Sequence, residues 1–208
     1  MPIAREGYLF IGGGLFLAIA VQLAVGGYWA VPFWMAAVFV VQFFRDPKRT
    51  IPNDKGAIVS PADGKVVGIA TAIEPITGSP SIKIAIFLDV FSVHANRIPV
   101  AGKILHRQYR SGKFFNASLD KASADNERNI VVIQTENSQL IGCVQIAGLI
   151  ARRILCYVEE RQHVSIGQRY GFIRFGSRVE LFVPADSAIT VEVGDKVKGG
   201  CDIVGYLP

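Results

Sequence analysis

The stretch Arg169-Tyr170-Gly171-Phe172-Ile173-Arg174-Phe175-Gly176-Ser177-Arg178-Val179-Glu180-Leu181-Phe182-Val183-Pro184 sets the reading of this chain. Phe172–Phe175 and Val179–Val183 are short runs of strand-forming residues, and Gly-Ser-Arg between them has the composition of a turn. Taken alone, Gly176-Ser177 is the bend of a hairpin. Working outward, similar runs recur at Ala57–Val59, Lys65–Ala70, Ile82–Leu88, Ile130–Thr135, Cys143–Ala147 and Ile189–Val193, separated by Gly, Pro, Asn and Asp. Only Leu149–Glu159 reads as a helix candidate. Residues 45–208 are therefore expected to form a mainly β domain, barrel- or sandwich-like, with few helices.

Two segments in that domain resemble each other. Ser60–Val67 and Gly194–Val204 both look like turns of the biotinyl/lipoyl carrier sandwich, in which glycine takes a positive φ at a tight corner. The modifiable lysine of such carriers is not evident, so the likeness speaks for β architecture. A membrane-tethered carrier or adaptor is the rival it leaves open.

The N-terminal part is of another kind. No charged residue stands between Glu6 and Arg45. The apolar stretch Tyr8–Phe44 is about twice the ~20 residues one helix needs to cross a bilayer. Gly26-Gly27 breaks it and Pro32 follows, which predicts two helices, about 8–25 and 28–44, with Tyr28, Trp29, Phe33 and Trp34 near the break. Arg5 flanks one outer end, and Arg45, Lys48 and Arg49 flank the other. The positive-inside tendency then puts both ends in the cytoplasm, giving a membrane-associated helical hairpin over residues 1–44 and a catalytic domain on the cytoplasmic side of the cell membrane. A hairpin that enters without crossing satisfies the same pattern. A cleaved signal peptide would not require the second apolar run.

Composition narrows the classes further. The formal charge of +5 lies beyond the hairpin, because Arg5 and Glu6 cancel. It suits anionic headgroups but is not concentrated into a nucleic-acid patch. The three cysteines, Cys143, Cys156 and Cys201, have neither the number nor the spacing of a disulfide framework or a zinc site, and are expected to be reduced thiols. No metal is called for, and the oligomeric state stays open, a homo-oligomer included.

Gly176-Ser177 has a second, chemical reading. A serine hydroxyl can attack the carbonyl of the preceding residue and turn the amide into an ester. Glycine there minimises hindrance and allows the distorted backbone that attack needs. β-Elimination then frees a glycine carboxylate and leaves dehydroalanine, the precursor of a pyruvoyl group, an electron sink made from the chain itself.

The wider pattern resembles a known family. Phe43-Phe44-Arg45-Asp46-Pro47, Ser60-Pro61-Ala62-Asp63-Gly64, Phe91–Pro99 with His94 and Arg97, Asn126-Glu127-Arg128, Gln145-Ile146-Ala147-Gly148, Ala151-Arg152-Arg153-Ile154 and Phe175-Gly176-Ser177-Arg178 stand in order along the chain. Together with the apolar hairpin, this set is similar to the short prokaryotic branch of the phosphatidylserine decarboxylase proenzymes. The resemblance implies autocatalytic cleavage between Gly176 and Ser177, giving a β chain of residues 1–176 and an α chain of residues 177–208. Ser177 would become the covalent pyruvoyl cofactor (pyruvate) that forms a Schiff base with the lipid amine, yielding phosphatidylethanolamine and CO2. It also implies a phospholipid substrate, with archaetidylserine as the ether-lipid alternative.

By the same resemblance His94 serves decarboxylation and Asp63 matches the family's aspartate. Longer family members carry a second histidine three residues after the first, where this chain has Arg97. Three routes to serine activation follow: His94 serves both steps, Asp63 assists by another path, or backbone strain does more. Arg97, or the pair Arg152-Arg153, offers guanidinium donors for a phosphate or carboxylate of the substrate. His106 and His163 match no such motif.

Overall fold

The computed structural model describes residues 2–115, 125–149, 153–174 and 176–208. The chain divides into two compact units, Met1–Lys48 and Arg49–Pro208.

In the first unit, helix α1 (Tyr8–Ala24) and helix α2 (Val31–Phe43) flank a break at Gly26 and Gly27, whose φ angles are +60° and +56°. That left-handed geometry is the one glycine adopts without steric cost. Pro32 sits in the first turn of α2, where its missing N–H leaves no bond unmade. The helix pair is small inside and large outside: Ala18 and Ala37 are buried, while Leu9, Phe16, Trp29 and Met35 are exposed. A Cβ built on Gly14 would lie 3.7 Å from the Ala37 Cα, so the backbones approach closely. Packing through small residues with large apolar side chains outward is the pattern of helices in lipid. The 20-residue segment Arg5–Ala24 is apolar and long enough to cross a membrane, and the second apolar helix is shorter. The hairpin closes on itself, because Ala4 N donates to Phe44 O at 2.8 Å and Asp46 N to Pro2 O at 2.9 Å. Arg5 and Arg45 therefore leave the pair at the same end.

The second unit is antiparallel β throughout its paired strands: β1 (Ala57–Val59), β2 (Gly64–Ile73), β3 (Pro80–Leu88), β4 (Ala95–Arg97), β5 (Gly102–Arg110), β6 (Arg128–Gln134), β7 (Leu140–Ile146), β8 (Ile154–Cys156), β9 (His163–Val164), β10 (Arg169–Ile173), β11 (Ser177–Pro184), β12 (Ala188–Ile189), β13 (Lys196–Val197) and β14 (Ile203–Tyr206). One sheet runs β13-β2-β3-β11-β7-β6-β5-β9, a second β4-β10-β8 and a third β1-β14-β12. Strand β11 lies near the middle of the large sheet, and its residues through Val183 are all buried. Alternation sends Val179, Leu181 and Val183 into the main core with Ile84, Ile86, Leu88, Val131 and Tyr170. Phe182 faces the other way and packs with Ile130, Val144 and Ile146. The expected mainly β domain behind an apolar helical hairpin is thus what the chain forms.

Several local expectations need correction. Strands β10 and β11 are not a hairpin: they belong to different sheets, and the chain crosses between them through Arg174–Gly176. The described part of Leu149–Glu159 contains strand β8 and no helix, because its backbone pairs with β10. The run Ile189–Val193 is a strand only in its first residue, within β12. The two similar segments pair with each other, Lys196 opposite Lys65 and Val197 opposite Gly64. The three cysteines are free thiols, Cys143 buried and the others half-buried. Burial pushes the Cys143 thiol well above its ordinary range, with the Glu74 charge adding to it.

Candidate active site

The crossing between the sheets positions the Gly-Ser pair. Gly176 has φ +60°, and a Cβ added there would meet no described atom within 4 Å. Its conformation is therefore one an L residue avoids, without packing that holds it there. Ser177 opens β11 opposite Leu88 of β3 and shares the core face with Val179. It is fully buried, and its Oγ has no hydrogen-bond partner among the described residues. A buried hydroxyl without a bond is costly, by about 1–3 kcal/mol, and is also free to move toward a carbonyl. The nearest candidate along the chain is that of Gly176.

His94 reaches the same region by a parallel crossing. Strand β3 ends at Leu88, the partner of Ser177, and the chain passes through Asp89–Val93 to His94 and β4. Strand β4 pairs with β10, and Ile173 N donates to His94 O at 3.2 Å. The short passages 89–93 and 174–176 thus connect the same two sheets side by side. The imidazole is buried, tilted against Phe172 with ring centres 6.4 Å apart. Its Nδ1 lies 2.9 Å from Ser92 O, an acceptor only, so Nδ1 carries the proton and donates. In the neutral ring that leaves the basic lone pair on Nε2.

Asp63 is engaged elsewhere. Both its carboxylate oxygens accept from Arg49 Nη2, at 2.8 and 2.9 Å, and Oδ1 also accepts from Gly199 N at 2.8 Å. Burial works to lower the Arg49 pKa, but the Asp63 charge and hydrogen bond, with Cys201, outweigh it and leave it raised. Asp63 thus fastens the turn after β13. It still reaches the histidine segment indirectly, since Asp63 and Ser92 line one cavity of about 260 Å³. Arg97 is used in the same neighbourhood: Arg97 N donates to Pro61 O at 2.9 Å, and Nη1 donates to Gly167 O at 3.2 Å. A Cβ on Gly200 would come within 2.8 Å of the Arg97 Cδ, so that glycine makes room for the side chain. Arg153 is exposed, and its carbonyl accepts a long 3.5 Å bond from Arg174 N beside the passage to Gly176. Arg152 lies outside the described residues.

The geometry therefore gathers Gly176, Ser177 and His94 at one end of the fold, with Arg153 beside them. Comparison with known proteins addresses what such a site belongs to. The sequence profile of the family described as phosphatidylserine decarboxylase matches residues 36–205. The chain belongs to the phosphatidylserine decarboxylase family. It is 50% identical over 206 residues to the phosphatidylserine decarboxylase proenzyme of Aromatoleum aromaticum, covering 99% of this chain and 96% of that one. It is 50% identical over 195 residues to the proenzyme of Nitrosomonas europaea, covering 94% and 90%. Against the Burkholderia pseudomallei proenzyme it is 51% identical over 207 residues, covering 99% and 95%. Membership makes the chain an enzyme, a decarboxylase of phospholipid metabolism related to proenzymes, and removes the carrier or adaptor reading.

Around the Phe91–Pro99 and Gln145–Gly148 segments the structure adds a network that residue types alone did not reveal. Asn129 Nδ2 donates to Gln145 Oε1 at 2.9 Å, and Gln145 Nε2 donates to Asn96 Oδ1 at 2.8 Å. All three amides are buried, and Gln145 stands opposite Val179, on the sheet face of Ser177. The chain of amides ties β6 and β7 to the strand that follows His94. The only sequence signal was polar residues inside otherwise apolar strand runs.

Proposed function

We propose that this chain is a self-processing, pyruvoyl-dependent decarboxylase that converts phosphatidylserine to phosphatidylethanolamine and CO2 at a membrane surface. The observation that carries the reading is a glycine at φ +60° followed directly by a buried, unbonded serine hydroxyl, beside a histidine with a basic Nε2.

Ser177 Oγ attacks the Gly176 carbonyl carbon, its proton leaving to a base. The C–N bond breaks as the C–O bond of the ester forms, and the amine of residue 177 takes up a proton. Removal of the Ser177 Cα proton then expels the Gly176 carboxylate and leaves dehydroalanine. Its imine tautomer consumes one water and releases ammonia, giving the pyruvoyl group at the head of residues 177–208. Gly176 contributes access for the attack, and the core around Ser177 excludes water that would otherwise hydrolyse the ester.

The residues fit the group. The pyruvoyl carbonyl, once formed, supplies an electron sink for loss of the substrate carboxylate. His94, with Nδ1–H fixed on Ser92 O, presents Nε2 as the base for Ser177 and as the proton carrier for the product carbon. Asp63 keeps the turn around Gly199 in place, and of the two described arginine candidates, Arg97 and Arg153, it is Arg153 that is exposed to a substrate anion. The hairpin, with apolar side chains outward, keeps the unit in the bilayer so that the lipid tails stay there. Both hairpin ends emerge together, which supports a catalytic unit on the cytoplasmic side.

Intact mass of the purified protein tests the reading. The expected result is two chains, residues 1–176 and 177–208, the shorter one blocked to Edman degradation and reactive with hydroxylamine. An uncut chain that nonetheless decarboxylates phosphatidylserine refutes it. His94→Ala should lose both cleavage and decarboxylation; normal cleavage with lost turnover would confine His94 to the second step. Turnover of the ether-linked serine lipid at equal rate would show that the backbone linkage is not read.

A further inference from the structure

We propose that Lys65, Lys196 and Lys198 form the phosphate subsite of this enzyme, binding the phosphodiester of the lipid headgroup; this rests on the decarboxylase reading above. Lys65 and Lys196 are directly opposite each other in the β2–β13 pairing. Like charges at that position repel and destabilise the pair. Lys198 follows just beyond the end of β13. All three line the cavity of about 260 Å³ that also contains Asp63, Asp89, Phe91 and Ser92.

The cavity's own acids offset only part of this charge. Asp63 is bonded to Arg49 and Gly199 N. Asp89 Oδ1 accepts from Phe91 N at 2.9 Å and Ser92 Oγ at 3.0 Å. Among the described residues no side-chain hydrogen bond or ion pair engages any of the three ammonium groups. Three exposed cations face one concave space in which Asp63 is already paired with Arg49 and only Asp89 keeps an uncompensated charge, and a tetrahedral anion is the ligand that matches the remaining positive excess and the shape.

The position fits one particular anion. Ser92 lines the cavity and its carbonyl holds His94 Nδ1, while Asp89 follows Leu88, the cross-strand partner of Ser177. In the substrate, the phosphorus lies one serine side chain away from the reacting amine. Lys65 stands opposite Phe87, on the outer face of the sheet and one residue from the core-facing Leu88–Ser177 pair, so a phosphodiester held by the lysines would send its serine moiety around the end of β3, along residues 89–92, toward Ser177. Phe91, 65% exposed at the cavity wall, offers an apolar surface to the adjoining glycerol and acyl carbonyls.

The test uses the full-length processed enzyme in neutral detergent micelles. In K65Q/K196Q/K198Q the KM for phosphatidylserine should rise between about tenfold and hundredfold, from three modest charge contacts, with kcat within twofold. K65R/K196R/K198R should restore KM to within about threefold, which a purely structural role would not predict. Inorganic phosphate should raise the wild-type melting temperature beyond chloride at equal ionic strength and inhibit competitively, and the glutamine variant should lose both effects. K196Q alone relieves the facing charges, so it should fold at least as well as wild type and still raise KM about threefold. An unchanged KM in the glutamine variants overturns the proposal. A phosphate-dependent melting shift with no competition against substrate overturns it too, by assigning the site to free phosphate. If the wild-type protein is uncut and inactive, the decarboxylase reading fails instead, while the phosphate melting shift still tests the anion site.

Discussion

Replacing Gly176 by alanine separates a scissile glycine from an ordinary turn glycine. At φ +60° an alanine pays about 1–2 kcal/mol relative to glycine. That cost can appear in two places. If surrounding atoms held the turn, it would lower global stability, shifting the melting temperature by about 2–4 °C per kcal/mol for a domain of this size. Here a Cβ would meet no described atom within 4 Å, so nothing described pins the turn. The backbone at 176 can relax to a negative φ, and the penalty then appears as depopulation of the observed geometry by about 5–30-fold. If that geometry is the one in which Ser177 Oγ addresses the Gly176 carbonyl, self-cleavage slows by the same factor. The assay follows appearance of the 177–208 fragment by intact mass after synthesis in a cell-free system, with melting measured on the uncut Ser177→Ala background. Cleavage should be about 5–30-fold slower and the melting temperature should move by less than about 2 °C. A wild-type cleavage rate, with or without a melting shift, would refute the argument.

Other consequences follow from the same geometry. Ser177→Ala should remain a single chain by mass and melt no lower than an uncut wild-type chain, because the lost hydroxyl has no described partner. Gln145→Leu leaves the buried amides of Asn96 and Asn129 short of a partner, at about 1–3 kcal/mol each; urea unfolding should register a loss of about 2–5 kcal/mol. In the native protein, thiol-specific alkylation should label Cys156 and Cys201 well before Cys143, whose burial keeps it protonated. Burial, with the neighbouring Cys143 and Cys156 adding to it, raises the Tyr170 pKa well above its ordinary 10.0. Tyr170 and Cys143 thus stay protonated in the folded chain while the unfolded chain releases both protons. Stability should be intact below about pH 9 and then fall, by about 1.4 kcal/mol per pH unit for each group, and Tyr170→Phe should flatten the decline above pH 10.

What the sequence disclosed of the fold tracks burial. Strands β3, β6, β7 and β11 are legible because their Val and Ile residues fill the two core clusters. Strand β5 is not, since Lys103, His106, Arg107, Gln108, Tyr109 and Arg110 are exposed and only Ile104 is buried. It is a strand because β6 and β9 pair with its backbone, a property no side chain announces. The same holds for the short strands β4 and β8, which exist through pairing with β10. The helix break at Gly26-Gly27 was legible for the opposite reason: positive φ has a residue-level signature.

The candidate site divides along a similar line. Gly176, Ser177 and His94 were named from an ordered motif set, while their adjacency comes from two chain crossings that no local pattern encodes. The amide chain Asn96–Gln145–Asn129 joins residues 49 and 16 positions apart, and lone Asn or Gln residues carry no spacing signal.

Arg97 shows how the structure bears on the mechanism itself. The resemblance puts the longer relatives' second histidine there, but Arg97 closes strand β4 whereas His94 precedes that strand. Arg97 spends its guanidinium on the Gly167 carbonyl and its stem against Gly200, and its backbone N–H on Pro61. Asp63, tied to Arg49 and Gly199, braces the adjoining turn from the other side. The two residues that a catalytic relay would require are both bonded into the Ser60–Gly64 and Lys198–Gly200 pairing. Of the three routes to Ser177 activation, assistance by Asp63 is therefore the one the geometry favours least. What remains near the proposed scissile bond is a histidine with its tautomer fixed by Ser92 and a glycine already in the left-handed region. On the proposed self-cleavage, base and backbone conformation divide the work between them, and Asp63 and Arg97 act by holding the Ser60–Gly64 and Lys198–Gly200 turns in place.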